Sequence, residues 1–262
     1  MNKGVVSVLV AYLIWGLYPF YFHAMQHVAP TEIVIHRVLW TFALLAVYLF
    51  CSRRWRWIQK AITDRRTVAV FLMSSVLITA NWSTYTYAIV TNQTLEASLG
   101  YFMNPLVSVL LGTVFLKEKL NKAQMLAIVF ACAGVMWVTF KQGEFPALGL
   151  TLALSFGFYG LVRKMAPLGS LEGLTLETAF AFPVALLATF YFAGNGDLTF
   201  VHGTSWDKFW LIMAGPITTI PLILFAYGLK QVPYSTVGFI QYLSPTMVFL
   251  SGCSFLGKNC KL

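Results

Sequence analysis

Charge is the scarcest resource in this sequence. Of 262 residues only 10% are Asp, Glu, Lys or Arg, whereas 58% are hydrophobic and 16% aromatic. A soluble domain of this length carries roughly a quarter charged residues, so a water-soluble globule is excluded. Acids are scarcer still, nine against eighteen Lys and Arg. The four cysteines, Cys51, Cys132, Cys253 and Cys260, are scattered and have neither disulfide nor metal spacing. The four histidines, His23, His27, His36 and His202, are equally dispersed. No HExxH, GxSxG, P-loop or GxGxxG pattern occurs, so nothing in the sequence encodes hydrolysis or nucleotide binding. No cofactor and no metal site is expected, and no enzyme.

What is abundant is apolar length. Mean hydropathy is +0.73, and a bilayer core of about 30 Å takes about 20 apolar residues per helix. Nine such runs are present: Gly4–His23, Glu32–Cys51, Thr67–Val90, Leu95–Leu116, Asn121–Phe140, Ala147–Val162, Leu171–Ala193, Trp206–Leu229 and Thr236–Leu256. Lipid offers no partner to backbone N–H and C=O groups, so these runs are expected to be helices. The expected fold class is an all-α polytopic membrane protein, with the lipid bilayer as its surroundings. One N-terminal lysine and no clear cleavage site make the first run an uncleaved helix.

The net charge of +9 does not point to nucleic acid, because of where the charges fall. Lys3, the group from Arg53 to Arg66, Lys117, Lys119, Lys122, Arg163, Lys164 and Lys230 all occupy one set of alternate loops. The positive-inside rule makes that face cytoplasmic and places the N-terminus inside.

The chain also repeats itself. Pro105, Gly112 and Phe115 recur 140 residues later as Pro245, Gly252 and Phe255, and Glu32 recurs as Glu172. Five spans per unit is an odd number, so the second copy is inverted in the membrane. The expected units are residues 4–140, with five helices, and residues 147–256, with four. The repeat places a fifth helix of the second unit at 261–280, past Leu262, and the tail 257–262 is atypical of it.

Polar residues inside these spans are the candidate site. Arg37, in EIVIHRVLW, lies five residues past Glu32, roughly 8 Å along a helix. One reading has it snorkel to the interface and meet Glu32. The other has it face a central cavity and meet an anionic group, with Glu177, its repeat counterpart, completing a charge pair along a pathway. His36 points about 100° away from Arg37 and is a candidate proton relay or a simple interhelical hydrogen bond. Glu96 reads either as a coupling acid or, with Thr94, as a cap on its own helix. Tyr101 and Asn104 precede Pro105 on one face, and Gln241 and Ser244 precede Pro245. Trp15, Tyr18, Asn81 and Tyr159 supply aromatic and amide groups suited to a cavity wall. The expected pathway is therefore Trp15, Tyr18, His36, Arg37, Asn81, Tyr101, Asn104, Tyr159, Glu177, Gln241 and Ser244, with His36, Glu96 and Glu177 as coupling candidates.

The stretches AYLIWGLYPFYF, EIVIHRVLW, LEASLGYFMNPL, SFGFYGLVRK, TTIPLILFAYGL and STVGFIQYLSPT together resemble the RarD family of EamA-type transporters, in the drug/metabolite transporter superfamily. The resemblance covers about residues 4–256. It implies ten helices in two repeats, an inner-membrane permease of small organic solutes, and an association with chloramphenicol sensitivity. That family continues after Gly257 with an acidic residue and a tenth helix, whereas Lys258 stands here. The alternatives are a truncated, non-transporting remnant of such a permease and an intramembrane enzyme. The partner expected is a small-molecule substrate.

Overall fold

The computed structural model describes residues 2–53, 55–91, 93–142 and 146–247, with backbone alone at 89, 90, 94, 95 and 142. The end of the ninth run, from residue 248, and the tail with Lys258 lie outside the described residues. Among those described, all regular structure is helical. The first run is two helices, α1 (Lys3–Gly16) and α2 (Tyr18–Ala24), broken at Leu17. Pro19 sits in the first turn of α2, where its missing N–H costs nothing but the preceding helix cannot continue smoothly. The remaining runs become α3 (Pro30–Ser52), α5 (Arg65–Val90), α6 (Thr94–Phe115), α7 (Lys122–Gln142), α8 (Ala147–Met165), α9 (Ser170–Asn195), α11 (Ser205–Leu229) and α12 (Tyr234–Gln241). Two short helices link them: α4 (Arg56–Thr63) and α10 (Thr199–His202).

Among the described residues seven segments are long and apolar enough to cross a membrane: Lys3–Ala24, Pro30–Ser52, Arg65–Ala88, Glu96–Phe115, Lys122–Lys141, Ser170–Asn195 and Ser205–Leu229. The molecule is an all-α polytopic membrane protein. Helix α7 leans mainly on α6 among the described residues and exposes Met125, Leu126, Phe130, Trp137 and Phe140, as a helix apolar all round does when lipid surrounds it.

The other long helices pack in a regular pattern. α3 lies against α11, and α9 against α5; α1 lies against α11, and α8 against α5. α3 meets α9, and α6 meets α12. The α6–α8 crossing is close because glycines face each other there. A Cβ on Gly100 would stand 2.8 Å from the Gly149 carbonyl oxygen, and one on Gly149 would stand 2.9 Å from the Glu96 carbonyl oxygen. Small residues are what let membrane helices approach in this way.

The ends of the helices define two halves. The proximal half holds the start of α1, α5, α9 and α12 and the end of α3, α6, α8 and α11. The distal half holds the opposite ends.

Candidate functional site

The distal half encloses a cavity of about 220 Å³. The break between α1 and α2 turns Trp15, Tyr18 and Phe22 towards it. α3 contributes Arg37, α5 contributes Asn81, Trp82 and Tyr85, and α6 contributes Tyr101 and Asn104. Leu152 and Phe156 of α8 and Leu222 of α11 form the floor, and Gln241, Ser244 and Pro245 close the circle. Pro245 follows a break in the α12 helix at Tyr242, where a proline cannot bond the carbonyl four residues back. Pro105, its repeat counterpart, leaves α6 unbroken.

Arg37 dominates the electrostatics. It is 7% exposed. Its Nε donates to Thr218 Oγ1 at 3.0 Å, and its guanidinium lies 4.2 Å from the centre of the Trp82 ring. Among the described residues no carboxylate lies within ion-pair distance of it, and the cavity lining holds none. A smaller cleft of about 150 Å³, beside the α2–α3 turn, reaches Arg37 from its other side.

Amides and hydroxyls supply the remaining polarity. Asn81 Nδ2 donates to the Leu152 carbonyl at 3.0 Å and to Ser155 Oγ at 3.1 Å, tying α5 to α8. Gln241 Oε1 accepts from Ser108 at 3.3 Å, and Tyr234 Oη donates to the Gly157 carbonyl at 2.6 Å. Two buried polar atoms on lining residues have no hydrogen-bond partner among the described residues: Tyr12 Oη and Asn104 Oδ1.

Of the residues expected along a pathway, Trp15, Tyr18, Arg37, Asn81, Tyr101, Asn104, Gln241 and Ser244 meet at this one cavity. His36, Tyr159 and Glu177 do not line it. His36 faces α10: its Nδ1 accepts from Trp40 Nε1 at 2.9 Å, its ring lies 4.7 Å from Phe200, and its Nε2 lies 3.9 Å from Glu32. Glu32 does not meet Arg37. It caps α10 instead, accepting from the Thr199 and Phe200 backbone N–H groups at 3.0 and 2.7 Å.

Glu177 is likewise not paired with Arg37. In the proximal half it accepts from Ser74 and Tyr159, and it lies 3.4 Å from Arg163 Nε. A side chain eight residues into α9 from the proximal end cannot reach one eight residues into α3 from the distal end. Glu96 caps the neighbouring helix rather than its own: it accepts from Leu148 N of α8 at 3.2 Å, and Gln93, the N-cap residue of α6, makes no side-chain cap. The side chain of Thr94 lies outside the described residues.

Sequence reasoning missed Arg163. It reads there as one more loop cation, yet it is 1% exposed. Around it the proximal ends of α8 and α11 are tied together. Lys164 Nζ donates to the carbonyls of Leu229 and Val232 at 2.9 and 2.6 Å; Lys230 Nζ donates to those of Ala166 and Leu168 at 2.8 and 2.5 Å. Each lysine thus satisfies free carbonyls at the end of the other's helix, where the macrodipole favours a cation. Glu118 does the converse for α12, accepting from the Tyr234 and Ser235 backbone N–H groups at 2.6 and 2.8 Å.

Comparison with known proteins places this arrangement. Residues 2–140 match the model of the EamA-like transporter family. The chain is 41% identical over 256 residues to the uncharacterized transporter YojE of Bacillus subtilis, covering 96% of this chain and 85% of that one. It is 38% identical over 258 residues to protein RarD of Escherichia coli, covering 98% and 87%. It is 38% identical over 259 residues to the uncharacterized transporter PA0485 of Pseudomonas aeruginosa, covering 99% and 87%. A solved crystal structure shares the fold at 15% identity, with a TM-score of 0.68 over 95% of this chain and 88% of that one. An aromatic cavity on one side of an apolar helical bundle, in a chain related to transporters along almost its whole length, is that of a multi-pass membrane protein: the chain belongs to the EamA-like transporter family and, within it, to the RarD group.

Proposed function

We propose that this protein is a secondary transporter of small organic solutes in a bacterial inner membrane, with its N-terminus cytoplasmic, and that the cavity around Arg37 is the solute path. The observation that carries the reading is the asymmetry of the bundle. A chamber lies in the distal half, and the proximal half is closed by Arg163, Glu177, Lys164 and Lys230. A carrier caught in one of its two alternating states has this shape, with the site near the interface of its repeats.

The packing pattern supports two inverted units, 4–140 and 147–256. Exchanging α1 with α8, α3 with α9, α5 with α11 and α6 with α12 converts the α3–α11 contact into α9–α5 and the α1–α11 contact into α8–α5. It converts the α3–α9 and α6–α12 contacts into themselves. The sealed half then opens as the cavity closes. A proton gradient is a conceivable source of energy, but His36, Glu96 and Glu177 all lie off the cavity, so coupling through any of them acts on the helices rather than on the solute.

One curated relative, from Pseudomonas aeruginosa, is named a chloramphenicol-sensitive protein, which makes chloramphenicol one member of a sensible panel. The test is counterflow in proteoliposomes with a panel of radiolabelled neutral, cationic and anionic solutes. The purified chain is expected to move at least one of them faster than protein-free liposomes, and Arg37→Leu to insert normally and lose that flux. Background rates for the whole panel, or undiminished flux in Arg37→Leu, would overturn the reading.

A further inference from the structure

We infer that the cavity selects organic anions: solutes with one carboxylate, a flat apolar body and a hydrogen-bonding group at the far end, carrying no positive charge. This rests on the cavity being the solute path, and it goes beyond that by naming what the path accepts.

Three observations combine. First, Arg37 is buried, held on one edge by Thr218 and on one face by Trp82, and faces a cavity without a carboxylate among the described residues. A buried cation is ordinarily neutralised by an acid. Here the nearest acid in sequence, Glu32, is committed to α10, and the repeat counterpart, Glu177, is committed to Arg163. The missing counter-charge is then the ligand's, and a planar guanidinium suits a carboxylate.

Second, the walls are aromatic. Trp15, Tyr18, Phe22, Trp82 and Tyr85 present ring surface and bury no charge. Such walls favour a flat apolar body. Third, Tyr12 Oη and Asn104 Oδ1 are buried without partners among the described residues. A hydroxyl or amide left unbonded is costly unless something bonds it. A polar group on the ligand, donor or acceptor, satisfies either one, because a hydroxyl serves both roles and an amide turned about offers its N–H.

The same facts exclude zwitterions and cations. An ammonium would enter a chamber that already holds Arg37, would be repelled by it, and would find only neutral acceptors. The prediction is therefore sharper than a preference for carboxylates: an amino acid should bind worse than the same body without its amine.

A matched series isolates charge. 3-(4-Hydroxyphenyl)propionate, its amide, L-tyrosine and tyramine share one body and are respectively anionic, neutral, zwitterionic and cationic. 3-Phenylpropionate lacks only the hydroxyl. Binding to the purified protein in nanodiscs is read by quenching of tryptophan fluorescence, since Trp15 and Trp82 line the cavity. The anion is expected to bind at least tenfold more tightly than the amide, tyrosine or tyramine, and several-fold more tightly than 3-phenylpropionate. Arg37→Gln should erase the advantage of the anion over the amide, and Arg37→Lys should restore part of it. Asn104→Ala should erase the advantage of the hydroxyl.

Equal binding of the amide, tyrosine or tyramine by the wild-type protein, or no saturable binding by either anion, overturns the inference without recourse to any variant. The outcomes also separate it from the transport reading. Anion binding that depends on Arg37 without flux in proteoliposomes leaves this inference standing and removes transport. Flux of neutral or cationic solutes only, with no anion bound, does the reverse.

Discussion

Two arginines are buried among the described residues, and they have opposite surroundings. Arg163, at the proximal end of α8, is 1% exposed and 3.4 Å from Glu177. Its Nη2 donates to the Ser170 carbonyl at 3.0 Å, and its guanidinium lies 5.5 Å from the centre of the Phe71 ring. Arg37, in the distal half, has an aromatic face and one hydroxyl but no acid among the described residues. Removing water from a charge is expensive, and an ion pair offsets that cost only when both members are present. The proximal arginine carries its counter-charge within the chain and so joins helices. The distal one leaves that place to something from outside. The same residue type is thus a fastener in one half and, in the reading proposed above, a receptor in the other, and the difference lies in where the chain spends its few acids.

The largest effects should come from breaking the fastener. Glu177→Ala leaves Arg163 charged, buried and unpaired, and should lower stability by about 3–5 kcal/mol. Unfolding in mixed detergent micelles, followed by circular dichroism, measures this. The double variant Arg163→Met with Glu177→Leu removes both charges and should recover most of the loss. Arg37→Leu is the control in the other half. It strands no acid, so its midpoint should stay within about 1 kcal/mol of wild type or rise, although flux is lost. If Glu177→Ala is as benign as Arg37→Leu, the two arginines do not differ in the way argued.

A smaller effect tests geometry alone. Gly173 of α9 lies directly against the Arg163 guanidinium and leaves no room for a Cβ there, with Phe71 Cε1 only 2.6 Å from where one would stand. Gly173→Ala keeps every charge but pushes the guanidinium off its seat. Overpacking of this kind costs about 1–3 kcal/mol. The loss should largely vanish in the Arg163→Met background, because the thioether chain is flexible and can move aside. An equal loss in both backgrounds would mean that Phe71, not the ion pair, resists the change.

Much of this was legible in the sequence, and the physics says which parts. Lipid forces long apolar helices, so the spans could be read directly. A polar residue in such a span needs a reason, and that argument alone singles out Arg37, Asn81, Tyr101, Asn104 and Gln241, which the fold gathers at one cavity. What stayed hidden were partners far apart in the chain. Glu32 caps Thr199 and Phe200, Glu96 caps Leu148, and Glu118 caps Tyr234 and Ser235. No local spacing announces a cap on another helix. Arg163 was hidden differently: it falls in the last turn of α8, where the positive-inside pattern already explains a cation. Its burial becomes visible only when α9 and Phe71 are packed over it. The charge pair expected of Arg37 and Glu177 has its members on opposite sides, as an inverted repeat requires, and the sequence gives no sign that Glu177 already has Arg163 beside it.

The smallest prediction concerns α5, which carries both sides of the comparison: Ser74 and Ser75 near the fastener, Asn81 and Trp82 at the cavity. Asp64 caps its first turn from outside the membrane. The Thr67 hydroxyl, then the Arg66 and Thr67 backbone N–H groups and the Arg66 charge, hold its carboxyl below the ordinary aspartate range. A depressed folded value contributes stability that is present above the unfolded pKa of about 3.9 and is lost as pH falls through the folded value. Hydrogen exchange at the first turn of α5 should therefore be slow at pH 6 and relatively faster below pH 4, after correction for intrinsic rates. Asp64→Asn should flatten that dependence while leaving the cavity half of α5 unchanged. Loosening that spreads to Trp82 would show that α5 moves as one rod, so that the two halves communicate through it rather than independently.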